Sequence, residues 1–210
     1  MQHRVSTKPS DKVTGLVYLL ETQSIPIYDA EQSEEDAWDV LIDVMGSERR
    51  AQLLFYPGPG DRRKFWRPSW EQVMTNKIIA PRPPYNIGWV HRTHNSHADY
   101  YEGHEGYHIE LGVVRGLSEV RKERKRRQGE LVLKDTTWAP RKLKIVAPHE
   151  YPIPDGLYTL ICSDSRLSSS YFWVVGQLRK DGKFKKVSVI RLADGEKVKR
   201  GFEPVEIFLC

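Results

Sequence analysis

The feature that most constrains this chain is a series of short apolar runs that begins after Tyr85 and continues to residue 209. The runs have the length of strands, and turn residues separate them. The clearest pair flanks residues 180–183, where Asp181 and Gly182 form a dipeptide that strongly indicates a hairpin. The segments predicted as strands are residues 86–93, 107–115, 129–134, 142–147, 157–162, 171–179, 184–192 and 204–209. Strands at such short intervals predict an antiparallel sandwich or a barrel.

The first third of the chain is predicted to contribute one or two helices. Residues 33–45 combine a capping hydroxyl at Ser33 with acidic residues in the first turn and apolar residues at helical spacing. Gly46 is expected to end this helix. A second helix is predicted to begin at Ser69, because Ser69 and Gln72 have the spacing of a capping box.

Other segments of this first third are less regular. Residues 51–56 are predicted as a short strand, whereas the apolar run 13–20 fits a strand or a buried helix equally well because it is too short for its period to decide. Residues 57–64 alternate proline and glycine before a basic stretch, and they match no phosphate-binding loop, so a surface turn is predicted. Trp66 and Trp70 are predicted to pack in the core.

Together these features predict an α+β fold that is predominantly antiparallel β, sandwich or barrel-like, with one or two helices in the first third. Residues 1–12 are expected to form a disordered lead-in, and residues 13–210 a single β-rich domain. The proline-rich stretch 80–84 is a candidate sub-boundary within it. A chain of 210 residues with 39% hydrophobic residues can bury a sufficient core without disulfides or metal ions.

The cysteine content and the apolar runs indicate the compartment. Cys162 and Cys210 are the two cysteines, and one pair is not a disulfide framework. The first residues have no apolar stretch of the kind a secretory leader needs, and the longest apolar run, 16–20, is too short to span a bilayer. A cytoplasmic or nuclear location and no membrane partner are therefore expected.

A histidine-rich stretch is the most specific motif. Residues 104–108 match H-E-x-x-H, which on a helix would hold zinc between two histidines and place a glutamate to activate the bound water. The residue types alternate with a period of two from Tyr107, which indicates a strand that would separate the two histidines. A looser site on a hairpin is the other metal-binding alternative. No cofactor or metal site is favoured, and the candidate ligands for these alternatives are His91, His94, His97, His104 and His108.

A basic run is the second candidate site. Residues 121–127 contain six basic residues and one acidic residue, a net +5 that equals the net charge of the whole chain. Clustered lysine and arginine side chains neutralise phosphates and release counterions, so nucleic-acid binding is an alternative function. A solvated helix or loop between two strands is the favoured interpretation, because no aromatic side chains are interleaved with the charges. The candidate phosphate ligands are Arg121, Lys122, Arg124, Lys125, Arg126 and Arg127.

Several short segments resemble those of a known family. They are residues 66–74, 99–103, 114–117, 129–131, 151–156 and 172–176. As a set, they resemble the region downstream of the incompatibility domain in fungal heterokaryon-incompatibility proteins, over residues 13–192. The signature of the incompatibility domain itself, an apolar strand leading into a Ser-Tyr-Cys-Trp-Gly-like segment, is absent. The resemblance implies a role in non-self recognition that leads to cell death, with this portion as an accessory or sensing module, and it assigns no catalytic residues.

The sequence therefore favours a non-enzymatic interaction or sensing module with a protein partner. The sequence contains no nucleophile elbow, and no pair of carboxylates stands out as acid and base. A metal-dependent hydrolase and a nucleic-acid-binding protein remain the two alternatives.

Overall fold

A computed structural model describes residues 9–18, 20, 22, 24–29, 31–62, 64–75, 87–92, 99–103, 109–119, 127–134, 140–162, 172–194 and 206–210. The helices of this part are α1 (Pro9–Thr14), α2 (Glu34–Asp43), α3 (Ser47–Leu54) and α4 (Trp70–Thr75). The strands are β1 (Trp89–Arg92), β2 (Asp99–Glu102), β3 (Ile109–Arg115), β4 (Arg127–Lys134), β5 (Pro140–Ala147), β6 (Gly156–Cys162), β7 (Phe172–Leu178), β8 (Lys183–Leu192) and β9 (Glu206–Leu209). The predicted α+β, β-rich fold is confirmed.

Two of the helices begin at the predicted caps. The Ser33 hydroxyl accepts a hydrogen bond of 3.1 Å from the Asp36 amide at the start of α2. At the start of α4, the Gln72 amide donates to the Ser69 hydroxyl at 3.2 Å, and the Ser69 amide donates to the Gln72 side chain at 2.9 Å. These reciprocal bonds are those of a capping box, so the prediction from the Ser69 and Gln72 spacing is confirmed.

Three expectations for the first third are wrong. Residues 51–54 belong to α3 rather than to a strand, because Ala51 and Leu54 lie three residues apart on one buried helical face. Gly46 caps the beginning of α3, whereas Val44 caps the end of α2. Residues 9–12 are helical instead of disordered, since α1 packs against α2 and buries Val13 completely. Residues 1–8 and the proline-rich stretch 80–84 lie outside the described residues.

Six strands close into a ring in the order β8-β5-β4-β3-β6-β7, and every neighbouring pair is antiparallel. The junction between β5 and β8 is short: Ile145 pairs with Leu192 and Val146 with Arg191. The interior is filled by apolar side chains from all six strands, among them Leu160, Trp173 and Ile190. This arrangement agrees with the predicted barrel-like sheet.

β9 extends the sheet from the beginning of β8 in parallel, and β2 and β1 follow it. β2 is the strand that the sequence did not predict, because its four residues Asp-Tyr-Tyr-Glu have only one apolar position on the buried side, Tyr101. The hairpin between β7 and β8 is confirmed, with Gly182 at a φ of 77° that favours glycine. Among the described residues, no helix is long and apolar enough to cross a membrane.

The two outer sides of the ring differ in what covers them. Ile161, Val174 and Val189 project from β6, β7 and β8 into a second apolar cluster, which α3 and strands β1, β2 and β9 complete. On the other side, the outward residues of β3 and the start of β6 face solvent: Leu111 is 61% exposed and Leu157 is 59% exposed. Among the described residues, the fold therefore covers one outer face of the ring and leaves the other open.

Candidate functional site

The structure places only one of the five candidate histidines. His91 lies on β1, with its ring 5.0 Å from the Tyr100 ring and its Nε2 atom 3.0 Å from a Glu102 carboxylate oxygen. His94, His97, His104 and His108 lie outside the described residues, so the metal-site hypothesis stays a prediction. Within the described ranges, no group of three or more histidine, cysteine, aspartate or glutamate side chains is arranged to hold a metal ion.

Arg127 does not belong to the exposed basic run that the sequence suggested. It begins β4 and is only 6% exposed, because its guanidinium points into the protein. The guanidinium donates to the carbonyl oxygens of Leu117 (2.8 Å), Glu119 (3.1 Å) and His149 (3.1 Å), and to that of Tyr151. Burial lowers its pKa. Arg127 therefore anchors two loops and is not available to a phosphate. The other five basic candidates lie outside the described residues: Arg121, Lys122, Arg124, Lys125 and Arg126.

A polar cleft of about 370 Å³ separates α2 from the segment that leads into α4. Carboxylates line the α2 wall, and basic side chains line the opposite wall. The lining residues are Ser33, Glu35, Asp36, Asp39, Arg62, Lys64, Arg67 and Ser69. Sequence reasoning did not find this cleft, although the spacing of Glu35 and Asp39 by four residues already places them on one helical face.

The charged groups of the cleft hold the fold together. Arg67, which is buried, pairs with Asp39 across the cleft, and a Glu35 carboxylate oxygen accepts a 2.8 Å hydrogen bond from the Trp70 amide. Lys64 extends to Asp99 on β2, at 2.5 Å. Burial raises the pKa of Glu35, and the Trp70 amide opposes that shift. These contacts use the Asp39, Glu35 and Lys64 side chains to join α2, the segment that leads into α4, and β2.

A second polar group is buried where residues 56–67 cross β8. We define the polar junction as the side chains of His149, Lys186 and Ser188 with the carbonyl oxygens of Pro57 and Trp66. Lys186 is 1% exposed, and its ammonium nitrogen lies 3.3 Å from the Trp66 carbonyl oxygen and 5.9 Å from the centre of the Tyr56 ring. No carboxylate of the described residues pairs with it, and burial holds its pKa well below the ordinary value.

Ser188 and His149 lie at the distance of a nucleophile and its base, but their hydrogen bonds oppose that chemistry. The Ser188 hydroxyl is 3.2 Å from His149 Nε2 and donates to the Pro57 carbonyl at 2.8 Å. His149 Nε2 lies 2.6 Å from the Val189 carbonyl oxygen, which only accepts, so Nε2 carries the proton and cannot receive one from Ser188. Ser188 is also fully buried. The pair is a structural contact in this arrangement and not a hydrolytic dyad.

The other nitrogen of His149 is left without a partner among the described residues. Nδ1 is buried, although the residue as a whole is half-buried. Burial lowers the pKa of His149 to about 4, and the cations Arg127 and Lys186 add to the effect. The polar junction was invisible to sequence reasoning, because Lys186 stands among exposed lysines in a strand of mixed character.

No protein-family model, no curated protein and no solved structure matches this chain.

Proposed function

We propose that this chain is a non-enzymatic protein-interaction or sensing module and that the open outer face of the ring is its contact surface. Leu157, Val113 and Val132 are consecutive cross-strand partners on β6, β3 and β4. Leu111 lies two residues before Val113 and therefore projects from the same face. We call these four residues the open apolar face. This face is the observation that carries the proposal, because a contiguous apolar patch on a sheet marks an interaction site more often than single exposed leucines do.

Charged residues border the open apolar face. In the adjoining row, Arg115 pairs with Glu130 across β3 and β4, and Glu130 pairs in turn with Lys144 on β5. Lys142 lies opposite Val132 and forms an ion pair of 3.4 Å with Glu130. An apolar centre inside a charged rim has the composition of protein interfaces, in which the rim contributes orientation and the centre contributes affinity.

The polar groups that could support catalysis favour the same conclusion. Lys186 and Ser188 of the junction are buried, and in the cleft between α2 and α4 the Asp39 carboxylate pairs with Arg67 while that of Glu35 accepts from the Trp70 amide. The resemblance to the region downstream of the fungal incompatibility domain adds a biological setting. We therefore propose an accessory role in non-self recognition, in which the open apolar face contacts a protein partner.

The proposal is tested by site-specific photo-cross-linking. A photoreactive phenylalanine derivative replaces Leu157 in one variant and Leu178, an equally exposed residue near the β7–β8 hairpin (56%), in the matched control. We expect a discrete protein adduct from position 157 and none from position 178. The adduct's protein component is then purified, and its affinity for the unmodified chain is measured by calorimetry.

A change of Leu157 to Glu places a charge in the centre of the proposed contact and should weaken that affinity at least about tenfold, because a buried unpaired charge costs well over 1.4 kcal/mol. The L178E variant should bind like the unmodified chain. Equal adducts from both positions, or binding that L157E leaves unchanged, would refute the open apolar face as the contact surface. Stoichiometric zinc in the purified protein, lost on His104→Ala, would instead favour the hydrolase alternative.

A further inference from the structure

The polar junction connects residues 57–60 to β8 through a short relay. His149 Nε2 donates to the Val189 carbonyl and lies beside the Ser188 hydroxyl, which donates to the Pro57 carbonyl. The next residue, Gly58, packs against the Tyr151 ring so closely that a Cβ atom there would lie 2.7 Å from it. The segment is therefore seated directly on the histidine-bearing loop.

The closed arrangement strongly favours a neutral His149. Protonation would place a proton on Nδ1, which is buried and has no acceptor among the described residues. A buried donor without an acceptor costs about 1–3 kcal/mol, and a buried charge without a counter-charge costs more. Hydration of the ring would remove both costs, and the Tyr151 ring, which contacts both the imidazole and Gly58, would couple such an opening to residues 57–60.

The charged groups around His149 strengthen this incompatibility. From β4, the Arg127 guanidinium bonds to the His149 carbonyl, and from β8 the Lys186 side chain lies close enough to oppose a second cation. The Tyr151 ring packs on the imidazole with centroids 5.8 Å apart. Glu150, the adjacent carboxylate in the chain, is exposed to solvent. The immediate surroundings thus hold two basic side chains, both of which disfavour a positive charge on the imidazole.

We propose that His149 is a proton-sensitive latch, which holds residues 57–60 against β8 while its ring is neutral and releases them when the ring is protonated. The released state exposes Ser188 and the polar edge of β8 between its pairings with β9 and β5. A device of this kind would make the surface of the module respond to acidification without unfolding the ring.

Hydrogen exchange followed by mass spectrometry tests the latch on the whole chain. Exchange of amides in the peptide covering residues 55–62 is measured between pH 7 and pH 4, after correction for the intrinsic pH dependence of exchange. Because the imidazole pKa is about 4 in the closed state and near 6.5 when hydrated, the open-to-closed ratio should rise roughly a hundredfold over this range. Peptides from β4 and β5 should keep their protection.

Lys186 also titrates below its ordinary range, so the decisive comparison removes it first. Lys186→Met alone should retain the acid-induced step at residues 55–62, whereas Lys186→Met combined with His149→Gln should lose it. Loss of the step in Lys186→Met alone would assign the response to the lysine and overturn the proposal. A step that persists in the double variant, or simultaneous exchange of the β4 and β5 amides, would overturn it as well. If the double variant does not fold, titration of the His149 imidazole by NMR decides, and a pKa near 6.5 in the folded protein would contradict the latch.

Discussion

The ring interior and two side chains of the polar junction, Lys186 and Ser188, are buried to the same extent, yet different forces hold them. Trp173, Leu160 and Ile190 are inaccessible to solvent and surrounded by apolar side chains. Lys186 and Ser188 are equally inaccessible but depend on single hydrogen bonds to the carbonyl oxygens of a crossing segment. Transfer of apolar surface from water stabilises the interior at any pH, whereas burial in the junction disfavours the charged forms of Lys186 and His149 and makes its stability depend on pH. Equal burial therefore does not mean equal robustness.

Deletion of a side chain inside the ring should produce the largest change in the free energy of unfolding. Trp173 fills the ring, where packing is so close that a Cβ on Gly112 would lie 2.7 Å from Leu131. We expect Trp173→Ala to lower the free energy of unfolding by about 3–5 kcal/mol, because the transfer energy is lost and a cavity remains. Denaturant titration measures it, and Leu178→Ala, at an exposed position, should change stability by less than about 0.5 kcal/mol. A loss below about 1 kcal/mol for Trp173→Ala would contradict the assignment of this tryptophan to the core.

Replacement of the buried Lys186 amine should raise the free energy of unfolding. Lys186→Met keeps the length of the side chain and removes the ionisable group, so we expect stability at pH 7 to rise by about 1–3 kcal/mol, with the lost bond to Trp66 reducing the gain. The folded-state pKa of Lys186 lies below its unfolded value, so the unfolded chain binds more protons and wild-type stability should increase as the pH rises toward 10.5.

The increase of stability with pH should be absent in Lys186→Met. The neighbouring Lys185 is exposed, with its ammonium over the Phe65 ring at 4.7 Å, and Lys185→Met serves as the matched control with little expected change. A destabilised Lys186→Met protein would mean that the amine contributes more through its hydrogen bond and its contact with Tyr56 than burial costs it.

Removal of the Ser188 hydroxyl from the polar junction should produce the smallest change in stability. Ser188→Ala leaves the Pro57 carbonyl without its donor, and we expect a loss of about 1 kcal/mol at pH 7, with faster exchange of amides near residue 57. Thermal unfolding and hydrogen exchange measure the two effects. An unchanged exchange rate would show that this hydrogen bond does not hold the segment, and the contrast between interior and junction would then rest on Lys186 alone.

Local sequence signals predicted some helices and strands correctly and failed to predict others. The Ser69 and Gln72 capping box and the Asp181-Gly182 turn act between neighbouring residues, and both were confirmed. The prediction failed at residues 51–54, where short apolar spacing fits a strand and a helix and the packing of Ala51 and Leu54 decides. It also missed β2, whose four residues form a strand because β1 and β9 pair with it on both sides.

The candidate sites also depend on contacts between distant residues, which the sequence alone did not predict. Arg127 belongs to a basic run in the sequence, but the carbonyl groups that surround it come from residues 8 to 24 positions away. The open apolar face was equally hidden, because Leu111 and Leu157 read as ordinary strand residues until the register of β3 and β6 showed which side each one faces. The hydrogen bonds from Lys186 to Trp66 and from Ser188 to Pro57 join residues that are 120 and 131 positions apart.

The sequence by itself determined the β-rich class, the caps of α2 and α4, the β7–β8 hairpin and most of the strands, because these depend on periodicity and on contacts within a few residues. Only the tertiary structure decided that six strands close into a ring, which outer face remains open, and which basic side chains are buried. The physical reason is that burial and the pKa of a side chain depend on distant segments of the chain, and no local pattern encodes them.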